Sequence, residues 1–149
     1  MKKLILLIFI ACSALLVGCV ASVPMTSTAL DSEAKKFAVE PGKASIYINC
    51  RGGIGNKMVW QVILDGRVAG SLASDTYLLL NVLPGEHAIT VTFPGNVKQQ
   101  KLNVEVGRNY YYDTSVSMGW TSGILHFDPI NEDQGREEVM GSKRVEATN

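Results

Sequence analysis

The chain has 149 residues, 14 of them Lys or Arg and 14 Asp or Glu, for a formal net charge of zero. It has neither a basic surplus nor a Lys/Arg run, so the electrostatic footprint of a nucleic-acid partner is excluded. Three cysteines, Cys12, Cys19 and Cys50, are too few for a disulfide framework, and the length suits one domain with its own core.

Lys2 and Lys3 precede an apolar run from Leu4 to Val17. At 1.5 Å per residue this run reaches about 21 Å, short of the ~30 Å hydrocarbon core of a bilayer. It therefore reads as the apolar region of a secretory signal rather than a permanent span. The run ends Leu16-Val17-Gly18-Cys19, which resembles the lipobox of bacterial lipoproteins. There an aliphatic residue stands three places before the cysteine, and small residues let the backbone enter the peptidase. Cys12 is a poorer acceptor, with Phe9 in the aliphatic position. The resemblance implies cleavage before Cys19, a diacylglyceryl group on its thiol, and two or three acyl chains in all. Since each buried CH₂ contributes about 0.8 kcal/mol, that anchor is stable, and the first partner expected is membrane lipid. Val20 follows Cys19. In enteric-type bacteria an Asp there resembles an inner-membrane retention signal, so the expected site is the periplasmic face of the outer membrane where the source has one.

Lys2 and Lys3 leave with residues 1–18, so 12 basic residues face 14 acidic ones in the mature chain, a net of about −2. Cys50 is then the one thiol not assigned to signal or lipid. Residues 19–42 read as the lipidated cysteine and a tether. Small, hydroxylated residues fill 20–30, and one or two helical turns are expected over 31–40, capped by Asp31 or Ser32 and stopped by Pro41-Gly42.

From 43 to 129 apolar and β-branched runs recur every 8 to 12 residues between turn dipeptides, the rhythm of a sandwich or barrel. The expected strands are 44–50, 58–65, 67–72, 76–83, 86–93, 97–106, 110–117 and 124–128. The expected fold is mainly β, an antiparallel β-sandwich of about seven or eight strands with minor terminal helix. Alternation puts Ala44, Ile46, Ile48 and Cys50 on the core face, making Cys50 a small buried hydrophobe, and Ser45, Tyr47, Asn49 and Arg51 opposite. Ile89, Val91 and Phe93 point inward, as do Leu102, Val104 and Val106. The runs 78–83 and 58–64 read as strands covered on both faces. Asp65-Gly66 suits a two-residue hairpin, Pro84-Gly85 a type II turn, and Pro94-Gly95-Asn96 and Gly107-Arg108-Asn109 two further turns. Residues 130–149 form a polar extension with a short helix at 135–143 and a frayed tail.

Ile46-Tyr47-Ile48 with Arg51, Leu64-Asp65-Gly66 with Val68-Ala69-Gly70, Tyr77, Leu83-Pro84-Gly85-Glu86-His87, and Gly107 with Tyr110-Tyr111 together resemble a family of small bacterial lipoproteins carrying a domain of unknown function. The Pro-Gly-x-His-x-Ile stretch also looks like the hairpin of PEGA-type surface β domains. The likeness covers 43 to 128 and rests on turn and core residues, so it implies a fold and no catalytic residue. Asn49 and Cys50 before Arg51 depart from the pattern.

The most unusual loop is Arg51-Gly52-Gly53-Ile54-Gly55-Asn56-Lys57. Arg51, Gly52, Gly53, Gly55 and Lys57 suit an anion cradle through backbone N–H groups, although a strand rather than a helix follows, and a plain hairpin tip uses the same residues. Trp120, beside Met118 and Gly119, suits partner or glycan contact, as does at least one exposed tyrosine of 110–112. His126 and Asp128 share a strand face but are too few for a structural zinc site, so no metal ligand set is assigned. His87 has Glu86 as its nearest acid in sequence, on the opposite face. No serine lies in a Gly-x-Ser-x-Gly elbow, and no catalytic residue is assigned. The expectation is a non-enzymatic binding or assembly module of the cell envelope with a protein or glycan partner. Two alternatives are an accessory lipoprotein of a secretion machine and an envelope hydrolase or metal-dependent enzyme.

Overall fold

The computed structural model describes residues 23–51 and 58–148. Nine strands among them form two sheets. They are β1 (Ala44–Cys50), β2 (Trp60–Leu64), β3 (Arg67–Leu72), β4 (Thr76–Val82), β5 (Gly85–Phe93), β6 (Asn96–Val104), β7 (Asn109–Met118), β8 (Gly123–Ile130) and β9 (Lys143–Arg144). One sheet has the order β8-β7-β1-β4-β9 and the other β3-β2-β5-β6. The expected mainly β sandwich is present, but its pairing is mixed, since β1 runs parallel to β7 and β4 parallel to β9. The chain changes sheets after β1, β3, β4 and β6, and those crossings let strands distant in sequence lie side by side in the same direction.

The main core lies between the sheets and includes Ile46, Ile48, Trp60, Leu78, Ile89, Val91, Leu125 and Phe127. A second cluster covers the outer face of the five-stranded sheet: Ala34, Tyr47, Tyr77, Leu79, Tyr111 and Val139, with Phe37 and Ile130 against it. Two helices make this third layer, α1 (Thr28–Ala34) and α2 (Glu132–Gly141). They explain why all of β1 is buried. Its alternation identifies the inner face correctly, but Ser45, Tyr47 and Asn49 are covered as well, beneath helices whose docking no local pattern announces.

Helix α1 starts earlier than Asp31. Its cap is Ser27, whose hydroxyl accepts from the Leu30 N–H at 3.3 Å. Asp31 is taken up by tertiary partners instead, accepting from Tyr77 Oη at 2.7 Å, Lys35 Nζ at 2.9 Å and the Arg144 N–H at 3.2 Å. The helix ends before Pro41-Gly42 because Phe37 takes φ 57° and lays its ring 5.5 Å from that of Tyr47. Helix α2 likewise begins ahead of residue 135, capped by the side chain of Asn131.

The residues after α2 are not a frayed tail. Strand β9 pairs with β4, Met25 bridges Val145, and Ala147 bridges Gly70. Val145 and Val23 are buried, so both ends of the described chain close the open side of the sandwich, and the tether reading of 20–30 does not extend past Val23.

The turns divide in the same way. Asp65 (φ 50°) and Gly66 (φ 81°) form the two-residue hairpin between β2 and β3, the type I′ geometry with both residues left-handed. The type II pattern, Pro then left-handed Gly, falls at Pro94-Gly95 (φ 77°) between β5 and β6. At Pro84-Gly85 the chain instead crosses between sheets, with Gly85 at φ 134° already paired to Val104. Val106 is exposed rather than inward, because β6 ends at Val104. Met58 and Val59 are exposed and β2 alternates, so that run is covered on one face only.

Candidate functional site

The sandwich has two ends. One carries the turn 65–66 and the crossings 83–84 and 105–108; the other carries the turns 94–95 and 119–122 and the chain after Cys50. The predicted binding residues Arg51 and Trp120 fall at the second end. Gly52, Gly53, Gly55 and Lys57, and Leu16 to Cys19, lie outside the described residues.

Arg51 is engaged by two carboxylates of the domain. Its Nη2 donates to Asp113 Oδ2 at 2.7 Å and its Nη1 lies 3.5 Å from Glu138 Oε1. The Asp113 hydrogen bond holds the guanidinium's pKa above its usual value, against the opposing effect of burial. Asp113 is buried, and its cross-strand neighbour on β8 is Asp128. Like charges directly opposite repel, so Arg51 supplies the counter-charge that makes the pair tolerable. The cluster continues through Asn49, which donates to Glu138 Oε2 at 3.2 Å and accepts from Ser142 Oγ at 2.7 Å. Arg51 thus ties β1, β7 and α2 together.

Trp120 is fully exposed. A hydrogen bond from the Gly119 N–H to the Ser122 carbonyl at 2.9 Å closes a tight turn. A Cβ on Gly119 would stand 2.6 Å from that carbonyl oxygen, so the turn needs glycine, and it throws the next side chain into solvent. Met118, Ile124 and Val97 are also exposed. Asn96 Nδ2 donates to the Gly123 carbonyl at 3.0 Å and ties the β5–β6 turn to the β7–β8 turn. The result is one apolar tip, the surface type that marks contact sites. No tyrosine joins it. Tyr111 and Tyr112 are buried and Tyr110 half-buried, with Tyr111 on the face opposite the other two.

At the first end the structure brings together a pair the sequence did not. His87 Nδ1 is 2.7 Å from Asp65 Oδ2, and Nε2 is 2.8 Å from the Leu83 carbonyl. The Leu83 carbonyl and an ionised Asp65 both accept, so this geometry favours the imidazolium, the form in which both ring nitrogens donate. Burial works against that charge, but the Leu83 carbonyl and the Asp65 carboxylate outweigh it and raise the His87 pKa. Asp65 also accepts from the Ala88 N–H at 2.9 Å. Sequence separation hid this pair, because Glu86 is adjacent in the chain while Asp65 arrives through the pairing of β2 with β5. The signal that could have found it is the Asp-Gly turn, whose first side chain sits above the neighbouring strand.

His126 contacts Ser117 Oγ at 2.8 Å. Among the described residues no group of three His, Cys, Asp or Glu is placed to hold a metal ion. Cys50 is fully buried beneath the sheet, and burial, followed by the nearby charges of Asp113 and Asp75, pushes its pKa up to about 12. An open groove of about 770 Å³ runs along the closed side, lined by residues of β3, β4 and the C-terminal segment.

Comparison with known proteins finds a relative in Haemophilus influenzae, called "Uncharacterized protein". It is 26% identical over 127 residues, covering 85% of this chain and 76% of the relative. Residues 40–125, from just before β1 into β8, match the model of a family described as "Protein of unknown function (DUF2846)". With more than half its length covered, including every strand of the four-stranded sheet, the chain belongs to the DUF2846 family.

Proposed function

We propose that this protein is a lipid-anchored, non-enzymatic binding or assembly module of the bacterial cell envelope. The observation that carries this reading is the N-terminal sequence: two lysines, an apolar run too short to span a bilayer, and Leu16-Val17-Gly18-Cys19 at its end. No helix among the described residues is long and apolar enough to cross a membrane; the attachment in this reading is a lipidated Cys19. The membrane holding it is the outer one, on its periplasmic face, in a source that has one. Binding is assigned to the apolar tip around Trp120, with an envelope protein or glycan as partner. A tether that confines this tip to one surface raises its effective concentration there without any new contact.

Cys19→Ser tests the anchor. The variant should lose incorporation of labelled fatty acid and move from the membrane to the soluble fraction; a variant that stays in the membrane refutes lipid anchoring. Crosslinking in intact cells tests the tip. Trp120→Ala should lose at least 10-fold of the dominant crosslinked partner, and an unchanged partner profile removes Trp120 from the contact.

A further inference from the structure

The described chain is already packed at Val23, which is buried between the sheets. Cys19 is four residues upstream, and four extended residues reach at most about 14 Å. If Cys19 carries the lipid, as proposed above and as this inference requires, the domain has no long leash.

The direction of the chain says which surface this draws to the lipid. Thr26 N–H donates to the Arg144 carbonyl and Glu146 N–H to the Pro24 carbonyl, so 24–26 run antiparallel to 144–146. Those residues run parallel to β4, with Thr76 opposite Lys143 and Tyr77 opposite Arg144. Going backward from Thr26 to Val23 therefore advances along β4 toward Val82. That is the end of the sandwich carrying the crossings 83–84 and 105–108, where Leu83 and Val106 are exposed at 67% and 57%. Arg67 is exposed beside the 65–66 turn, while Arg108 on the 105–108 crossing is exposed but paired with Glu105 Oε2 at 2.8 Å. Exposed apolar loop tips suit the interface of a bilayer, and the long Arg67 side chain reaches phosphate beside them.

We infer that this end, with Leu83 and Val106 at its tip, is seated on the lipid surface that Cys19 enters. The opposite end then stands off. Strand β7, ten residues long, spans about 33 Å at 3.3 Å per residue. The Trp120 tip is thus held roughly one domain length from the anchoring leaflet and faces the compartment, where a partner can reach it.

The test uses the full-length lipidated protein in vesicles of phosphatidylethanolamine and phosphatidylglycerol containing lipids brominated near the headgroup. A bimane fluorophore is attached at V106C, at L83C or at V97C, three exposed positions, the last at the Trp120 end. Cys50 is buried and stays unlabelled. Quenching at 106 and 83 should exceed that at 97 by at least threefold. Equal quenching, or stronger quenching at 97, overturns the inference. Mass spectrometry of the same sample separates the two readings. Cys19 without acyl mass removes the anchor and this inference with it, whereas acylated Cys19 with equal quenching removes this inference alone.

Discussion

His87 has an acceptor beside each ring nitrogen, a geometry that favours its charged form. Its folded pKa is raised above the unfolded value. The stabilisation it contributes is therefore complete below about pH 6.5, the usual histidine value, and is lost as pH rises through the folded value. Asp65 behaves oppositely. Burial raises its pKa, but the Ala88 N–H and His87 outweigh that and lower it, so its contribution is present above the unfolded carboxylate range and fades as pH falls through the folded value. Urea unfolding of the wild type and of His87→Gln should differ more at pH 6 than at pH 8.5. Because the Asp65 side chain is 47% exposed, solvent screening limits the difference to about 1 kcal/mol or less. An identical difference at both values would mean that the imidazolium is not formed. Cys50 gives a second residue-scale expectation. A thiol buried and pushed up to about 12 carries almost no thiolate at neutral pH. Maleimide should label it only after unfolding, and labelling of the native protein within minutes would contradict its burial.

At the scale of elements, the five-stranded sheet depends on its helical cover. Tyr47 and Tyr111 stack with ring centroids 5.2 Å apart, and Arg136 of α2 sits 4.7 Å from the Phe37 ring centroid. Helix α2 approaches this layer through Gly135, where an added Cβ would stand 2.3 Å from Tyr111 Cγ. Gly135→Ala sets two effects against each other. Helix propensity favours Ala by about 1 kcal/mol, while overpacking of a filled site costs about 1–3 kcal/mol. The contact involves the rigid ring root and leaves little room to yield, so a net loss of about 1–2 kcal/mol is expected in urea unfolding, with weakened near-ultraviolet tyrosine dichroism. A more stable variant would mean that α2 does not seat on Tyr111. The element scale also shows why hairpins were easier to read than crossings. Asp65-Gly66 and Pro94-Gly95 join strands adjacent in both sequence and space, so turn chemistry alone specifies them. Pro84-Gly85 has the same composition, yet its strands belong to different sheets, and no dipeptide encodes which sheet a strand will join.

Over the whole molecule, one short segment holds three edges. Residues 143–148 pair with β4, with 24–26 and with β3, and Val145 fills the space between. Truncation after Ser142 removes a buried valine worth about 1.5–3 kcal/mol together with the pairing on either side. Thermal unfolding should shift down by about 10 °C, and residues 23–26, having lost their partner strand, should become the first site of proteolysis. An unchanged midpoint would show that the segment covers the sandwich without supporting it.

What the sequence determined by itself follows from interactions of short range. Period-two alternation, turn dipeptides and the inner face of each long strand depend on neighbours within a few residues, so the mainly β sandwich, the burial of Cys50 and the hairpin at 65–66 were legible. So was the match of its turn and core residues to a family of unknown function. Tertiary structure alone decided what depends on partners far along the chain. It set the parallel pairing of β1 with β7 and the engagement of Arg51 by Asp113 and Glu138. It brought Asp65 rather than Glu86 to His87, and it drew residues that look like tether and tail into a closing strand. Polar, small or charged residues carry weak local preferences, and whether they are buried is settled only by the surface that packs against them.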